Sequence, residues 1–211
     1  LKVFRFEDKK VSGGKKEALQ FGISKAKHEH LLMTDADCYP KSKHWIRSMS
    51  TGFSNNNELV LGIGTHDSGK NKLLSKVIQW DTLLIAIQYL SFTLRGMTYM
   101  SVGRNVAYTK NLFKGANGFN SHLNISSGDD DLFVQEAKSG TTPSIVINSD
   151  SHTCSPSTES WSSFIKQKSR HFTTSIKYDK KTLLTLGLYQ VFTLLFYVSI
   201  VFGIYFQLNF E

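Results

Sequence analysis

Two carboxylates stand one residue apart in the stretch HLLMTDADCYP, directly after a short apolar run. These are Asp35 and Asp37, and from a turn both can reach one hard cation. Mg²⁺ is typically held by one or two carboxylates, while water and substrate phosphates complete its coordination. A pair of loop aspartates that cap the next turn explains the same letters, so the pattern alone leaves both interpretations open.

A second acidic group occurs in SSGDDDLF, where Asp129, Asp130 and Asp131 are consecutive. Adjacent carboxylates repel one another, so they must be solvated, bound to a metal, or used to hold one group at a shifted pKa. One interpretation is a general base that takes a proton from an incoming hydroxyl. The other is a first helical turn, where the helix macrodipole favours acidic residues.

Basic and polar side chains form the remaining motifs. In QKSRH, Gln167, Arg170 and His171 have i, i+3, i+4 spacing and share one helical face. The guanidinium on that face suits phosphate, although basic helices that lie on lipid headgroups show the same polar stripe. In SGGKKEAL, Lys15 or Lys16 enters a helix near a position where phosphate can bind, but the Gly-Lys-Ser/Thr ending of a P-loop is absent.

Short apolar runs alternate along the chain with segments of helical periodicity. The predicted strands are 3–6, 31–33, 58–64, 97–102 and 144–147. The predicted helices are 16–27, 45–53, 72–94, one that follows GDDDLF and stops at Gly140, and the amphipathic helix 157–178. This alternation predicts an α/β fold with a mainly parallel sheet covered on both faces. Ligands bind at the carboxyl ends of such strands, which is where Asp35 and Asp37 fall.

Membrane association is predicted from the last part of the chain. Residues 182–210 contain no charged side chain, and a membrane-spanning helix needs roughly 20 such residues. Three lysines, Lys177, Lys180 and Lys181, precede this span, so the positive-inside tendency places the preceding domain in the cytoplasm. The earlier helix 72–94 either packs centrally or lies along a membrane, because its uncharged part, 82–94, is too short to cross.

The formal net charge of +8 indicates a polyanionic partner, which is a nucleic acid, an anionic lipid or a phosphorylated substrate. Much of this charge lies in 166–181, immediately before the apolar span. Cys38 and Cys154 are the two cysteines, and their spacing matches no metal motif, which suits a reducing compartment. The opening letters LKVFRFEDKK are typical of a strand already inside a domain, so we expect the chain to lack an N-terminal part.

The order and spacing of these motifs resemble the family 2 glycosyltransferases, the inverting membrane-associated enzymes that include cellulose, chitin and hyaluronan synthases. The motifs are GGKKEALQFGISKAKHEHLLMTDADCYP, GRNVAY, GDDDLF and Q-x-x-R-H before a membrane span, and together they cover nearly the whole chain. The resemblance implies a GT-A-like domain in 1–156, a basic interfacial helix in 157–181 and a transmembrane helix in 182–210. A nucleotide-binding half precedes this region in that family, which accords with the abrupt start.

The resemblance also implies roles for particular residues. Asp35 and Asp37 match the D-x-D that binds Mg²⁺ or Mn²⁺ and the nucleotide diphosphate, and Lys15 or Lys16 matches a basic position near the nucleotide. Asp130 matches the catalytic base, with Asp129 and Asp131 as alternatives one register away.

Two further motifs are carried over in the same way. Gly103 and Asn105 in GRNVAY match a segment that shapes the donor and acceptor pocket. Gln167 and Arg170 match Q-x-x-R-W, but His171 replaces the tryptophan that lies near the growing glycan in processive enzymes. That departure argues against processivity.

The resulting hypothesis is an inverting transferase that moves a sugar from a nucleotide-sugar donor to a glycan or lipid-linked acceptor. It places the protein at the cytoplasmic face of the cell membrane, with membrane lipids but no nucleic acid as partners. A metal-dependent membrane phosphatase or nucleotidyltransferase would use the D-x-D equally but has no need for Q-x-x-R. A non-enzymatic basic membrane adaptor explains the charge but not the carboxylate groups.

Overall fold

The computed structural model describes residues 14–125, 127–138 and 141–210, so the predicted strand 3–6 and the predicted helix stop at Gly140 lie outside the described residues. The helices are α1 Lys15–Lys25, α2 Trp45–Ser50, α3 Lys72–Leu94, α4 Lys110–Gly115, α5 Asp131–Ala137, α6 Trp161–Ser175 and α7 Lys180–Phe210. The strands are β1 His30–Met33, β2 Tyr39–Pro40, β3 Leu59–Leu61, β4 Gly64–His66, β5 Val106–Thr109, β6 Ser144–Ile145 and β7 Thr153–Ser155.

The strands form two mixed sheets, so the prediction of a mainly parallel sheet is wrong. The larger sheet has the order β1-β5-β3-β6. Its strand β5 runs antiparallel to both of its neighbours, while β6 runs parallel to β3. The smaller sheet has the order β2-β7-β4, with β7 antiparallel to β2 and parallel to β4. The α/β class is confirmed in this coarser form.

The central strands are buried on both faces, which accounts for their unbroken apolar sequence. Leu59, Val60 and Leu61 of β3 have no exposed surface. One side of the sheet packs against a cluster that contains Phe113, Phe119 and several residues of α3 and α5. The other side packs against a smaller cluster around Trp45, Met49 and Val146.

Several predicted boundaries differ from the structure. The predicted strand 97–102 does not form: this stretch is irregular, and the strand lies at Val106–Thr109 instead. The predicted strand 58–64 is divided into β3 and β4. The helix predicted at 157–178 begins at Trp161, because the Ser160 hydroxyl accepts a hydrogen bond from the backbone of Ser163 and caps the helix.

Two helices, α3 and α7, are long and apolar enough to cross a membrane. None of the apolar window of α7 is buried within the described structure, whereas α3 packs one face into the core. With its full 23 residues α3 is long enough to cross a bilayer, although the uncharged part of the helix alone is too short to do so.

Candidate functional site

The reversed direction of β5 brings two of the motifs to one edge of the larger sheet. Met33 at the end of β1 pairs with Val106 at the start of β5. The residues that follow β1, Asp35 and Asp37, therefore lie at the same edge as the residues that precede β5, including Gly103. The third motif, GDDDLF, reaches this edge because the Gly103 backbone N–H donates to Asp130 Oδ2 at 2.8 Å.

Lys15 at the start of α1 joins the two acidic motifs. Its Nζ lies 2.6 Å from Asp35 Oδ1 and 2.7 Å from Asp129 Oδ2. Burial alone would lower the pKa of this ammonium, but the neighbouring carboxylates of Asp129 and Asp35 outweigh burial and raise the pKa above its usual value. Lys15 is therefore a fixed positive charge between the two groups of carboxylates.

Asp130 has the properties of a proton acceptor. Burial, then the negative charges of Asp129 and Asp131, raise the pKa of its carboxyl to about 7. Hydrogen bonds from the backbone N–H groups of Gly103 and Asp131 act in the opposite direction and keep the shift from being larger. A carboxyl with a pKa near 7 can take and release a proton at neutral pH.

Asp131 has a different environment from Asp130. It is buried at the first position of α5, and its Oδ1 accepts a hydrogen bond from the backbone of Leu132 at 2.8 Å. Its Oδ2 accepts a hydrogen bond from the Tyr178 hydroxyl at 2.8 Å. Asp131 therefore links α5 to Tyr178, whereas Asp129 pairs with Lys15 and Asp130 has a raised pKa.

Glycines bring these groups close together. A Cβ at Gly103 would lie 3.3 Å from Asp130 Oδ2 and 3.5 Å from Asp129 Oδ2, so a side chain there would crowd the carboxylate to which the Gly103 N–H donates. Gly128 has φ +94°, which L-residues rarely adopt, and a Cβ there would meet the Leu132 side chain at 2.6 Å. The glycine of GDDDLF thus permits the turn that presents the aspartates.

The residues after β1 can hold a divalent cation. The ligand atoms of Asp35, Asp37 and Cys38 all lie within 4.8 Å of one another. Burial raises the pKa of the Cys38 thiol, and its Sγ lies 3.0 Å from Ser155 Oγ, so the sulfur already has a hydrogen-bonding partner within the protein. The remaining donors are two carboxylates, which fit Mg²⁺ or Mn²⁺ with water and phosphate oxygens in the other positions.

Lys16 lies outside this edge, although Lys15 and Lys16 were equally good candidates in the sequence analysis. Its side chain is only 1 % exposed. The ammonium donates to the backbone carbonyls of His122 and Ile125 at 2.7 and 3.1 Å and lies 2.8 Å from His122 Nδ1. Burial lowers the pKa of Lys16. Lys16 is therefore part of the interior, and Lys15 is the lysine of the site.

Asn105 supports the sheet edge from within. Its side-chain amide donates to the carbonyls of Ile63 and Ser151 at 2.8 and 2.7 Å. Its Oδ1 accepts a hydrogen bond from Trp45 Nε1 at 3.0 Å. The residue is fully buried, so its side chain is occupied by protein partners and acts on a bound molecule only by holding the adjacent backbone.

The helix α6 passes near the carboxylates. Gln167 is half-buried, and Arg170 and His171 are exposed. Within the part of the chain that the structure describes, the side chains of these residues make no hydrogen bond to the aspartates. Although its surface is exposed, partial desolvation of the ring by the surrounding protein, then the charges of Lys168 and Arg170, lower the pKa of His171. Asp131 also acts on it, which places this turn of α6 within electrostatic range of GDDDLF.

One polar pair at this edge was not predicted. Arg104 Nη1 lies 2.7 Å from His66 Nε2. Burial and the guanidinium lower the pKa of His66, so the imidazole is neutral and accepts at Nε2. The Arg104 Nε is buried without a partner among the described residues. Arg104 belongs to the GRNVAY motif, and this motif could have indicated that Arg104 lies near the site. Nothing in the sequence indicates that it contacts His66.

No protein-family model matches the chain, and no curated protein matches it. The site is therefore interpreted from its own geometry.

Proposed function

We propose that the protein is an inverting glycosyltransferase of the family 2 type with a GT-A-like fold. It transfers a sugar from a nucleotide-sugar donor to a hydroxyl of a glycan or lipid-linked acceptor. The observation that supports this proposal is the meeting of three distant motifs at one sheet edge, where Asp130 has a pKa of about 7 and two carboxylates stand beside Lys15. Paired carboxylates with a separate proton acceptor are what a diphosphate leaving group and an attacking hydroxyl require.

The donor would bind at the Asp35 and Asp37 side of this edge. These two carboxylates would hold Mg²⁺ or Mn²⁺, which when bound neutralises charge on the diphosphate. Lys15 is 2.6 Å from Asp35 and can turn its ammonium toward the same phosphates. Arg170 on α6 supplies a further planar donor group suited to phosphate oxygens.

Asp130 would act on the acceptor. Its carboxylate takes the proton of the acceptor hydroxyl as that oxygen forms a bond to the anomeric carbon. The bond from that carbon to the diphosphate oxygen breaks on the opposite face, so the configuration inverts. The N–H groups of Gly103 and Asp131 hold the carboxylate in one orientation for this transfer.

The span α7 would anchor the protein in the cell membrane with its remaining residues on the cytoplasmic side. Lys177, Lys180 and Lys181 stand at the membrane boundary on that side. A lipid-linked acceptor is then delivered along the surface where α6 lies.

Sugar transfer by the membrane-embedded chain is the direct test. Vesicles containing the protein receive Mn²⁺ and a panel of radiolabelled nucleotide sugars, and label incorporated into lipid or glycan is measured. We expect Asp130→Asn to lower the rate by at least about 100-fold, while Asp150→Asn, an exposed carboxylate in a separate turn, leaves it unchanged.

Other outcomes identify the alternatives. Hydrolysis of a simple phosphate ester without any sugar acceptor would replace the proposal with a phosphatase or nucleotidyltransferase. Undiminished transfer by Asp130→Asn would remove the assignment of the base.

A further inference from the structure

Helix α3 carries a row of large apolar side chains on its outer face. They recur mostly at seven-residue intervals, which places them on one side of a helix. Their exposed fractions are 67 % for Leu73, 57 % for Trp80, 50 % for Leu83, 52 % for Ile87 and 77 % for Leu94. We call this row the α3 stripe. A row of this length exposed to water is unusual for a soluble surface and marks an interaction site.

The opposite face of α3 belongs to the core of the domain. Leu74, Ile78 and Tyr89 are buried there, and the Tyr89 hydroxyl donates to the carbonyl of Gly62 at 2.6 Å. If α3 crossed a bilayer, these residues would have to leave the sheet that they cover. Although its length and composition would permit crossing, its packing holds it alongside the domain.

Helix α6 lies beside α3 and also carries exposed apolar side chains. An ion pair between Asp81 and Lys168 joins the two helices. Trp80 directly precedes Asp81 on α3, while Ile165 and Phe172 lie three residues before and four after Lys168 on α6 and are 60 % and 71 % exposed. The ion pair therefore sets α6 beside α3, and the exposed apolar side chains of the two helices lie on neighbouring parts of the surface.

The charges around this surface indicate what covers it. Lys72 and Lys76 lie in the first turns of α3, and Arg95 follows its end. On the other side of the ion pair, α6 and the turn after it carry the basic stretch 166–181, which leads directly into the uncharged helix α7. Apolar side chains with a basic border, continuous with a membrane-spanning helix, complement an anionic lipid surface.

We infer that α3 is a second lipid-contacting helix of the domain. It lies in the plane of the bilayer interface beside α6, with the α3 stripe among the upper acyl chains at a depth of roughly 5–10 Å and its opposite face in the core. Two interfacial helices and one span then fix the tilt of the domain, because a span alone would leave it free to pivot.

The three tryptophans of the chain allow a direct test. Trp80 is on the α3 stripe, Trp161 begins α6, and Trp45 is buried in the core with its Nε1 bonded to Asn105. The full chain is reconstituted into vesicles of phosphatidylcholine and phosphatidylglycerol whose acyl chains carry bromine, which quenches tryptophan on contact. Trp161→Phe leaves Trp80 as the exposed reporter, Trp80→Phe leaves Trp161, and the double variant leaves only Trp45.

We expect Trp161→Phe to retain at least about half of the wild-type quenching. Removing the apolar surface of Trp80 from water is favourable and should keep this side chain in the lipid. The double variant should lose nearly all quenching while the retained fluorescence of Trp45 shows that the core is intact. If Trp161→Phe is no more quenched than the double variant although both float with the vesicles, the inference fails. Shielding of Trp80 from aqueous iodide without quenching by bromine would also overturn it, since a protein partner would then cover the stripe.

Flotation separates this inference from the proposed function. A chain that does not float with vesicles would show that α7 does not anchor it, which removes the membrane location of the proposal. A chain that floats with an unquenched Trp80 leaves that location intact and removes only the contact by α3.

Discussion

The neighbours of a side chain, more than its type, decide what it does in this protein. Lys15 and Lys16 are adjacent in sequence and were indistinguishable there. Lys15 pairs with two carboxylates at the sheet edge, whereas Lys16 turns inward and meets His122 and Ile125. Adjacent positions of a helix point about 100° apart, so one of them can face a site while the next enters the core.

Replacing each lysine by methionine separates these roles. We expect Lys16→Met to destabilise the domain by about 3 kcal/mol, because two buried carbonyls and an imidazole nitrogen lose their donor. We expect Lys15→Met to change stability by less than about 1 kcal/mol, since its side chain is 47 % exposed. Thermal unfolding in detergent measures both, and equal losses for the two variants would contradict the assignment.

Asp130 makes the stability of the domain depend on pH in a direction opposite to that of most carboxyls. Its pKa is about 7 in the folded protein and near 3.8 when unfolded. Between these values the folded state holds a proton that the unfolded state has released, so stability falls as pH rises from about 4 to 7. Below pH 4 both states are protonated, and above 7 the loss is complete.

Asp130→Asn should abolish this dependence because asparagine does not ionise. The variant should gain stability relative to the wild type as pH rises through that window, by on the order of 4 kcal/mol. Melting temperatures at pH 4, 5.5, 7 and 8 give the difference, and Asp150→Asn is the matched control. A constant offset between Asp130→Asn and wild type at every pH would show that the Asp130 pKa is not raised.

Among the helices and strands, the residues that form a helix could be predicted from local periodicity, whereas the pairing of the strands could not. The helix α3 lies at the predicted residues because its apolar pattern and its Asn71 cap are both local. The strand β5 was missed, because VAYT is buried on both faces and shows no alternation, and its partners β1 and β3 lie far away in sequence. The stretch 97–102 is also rich in apolar residues, but none of the described strands pairs with it.

The residues of the candidate site could be predicted better than the directions of the strands that carry them. The turn after β1 was expected to carry a ligand because a mainly parallel sheet was predicted, and ligands bind at the carboxyl ends of such strands. That Gly103 joins it depends on β5 being antiparallel, which the sequence did not indicate. The same missing information explains why Asn105 was expected to face a ligand and instead bonds with Trp45, Ile63 and Ser151.

Helix α5 is tied to the turn before α7 by two contacts. Tyr178 donates to Asp131 at 2.8 Å, and Lys138 pairs with Asp179 at 2.7 Å. We expect Tyr178→Phe to cost about 2 kcal/mol of unfolding free energy, because the buried Asp131 carboxylate loses a donor. Tyr197→Phe, on the exposed surface of α7, should change it by less than about 0.5 kcal/mol. If chemical denaturation gives equal values for both variants, the contact does not hold these elements together.

In the whole molecule, the charged residues and the exposed apolar side chains lie in distinct regions. Both distributions are consistent with the same orientation at a membrane. Much of the net charge of +8 lies around α6 and the turn before α7, while Asp35, Asp37 and the three consecutive aspartates of GDDDLF lie at the sheet edge. A basic surface attracts anionic lipid. In the proposed orientation, the candidate site would lie on the same side of the bilayer as the basic residues that precede α7.

The two cysteines can establish that side. Cys38 is half-buried next to Asp37, and Cys154 is buried. A maleimide that does not cross membranes should therefore label Cys38 in vesicles whose cytoplasmic face is outward, because the positive-inside tendency places the domain there. Vesicles of the opposite orientation should show less than about a tenth of that labelling, and Cys38→Ser should remove it from both. Labelling from the opposite face would reverse the assigned topology and place the site away from cytoplasmic nucleotide sugars.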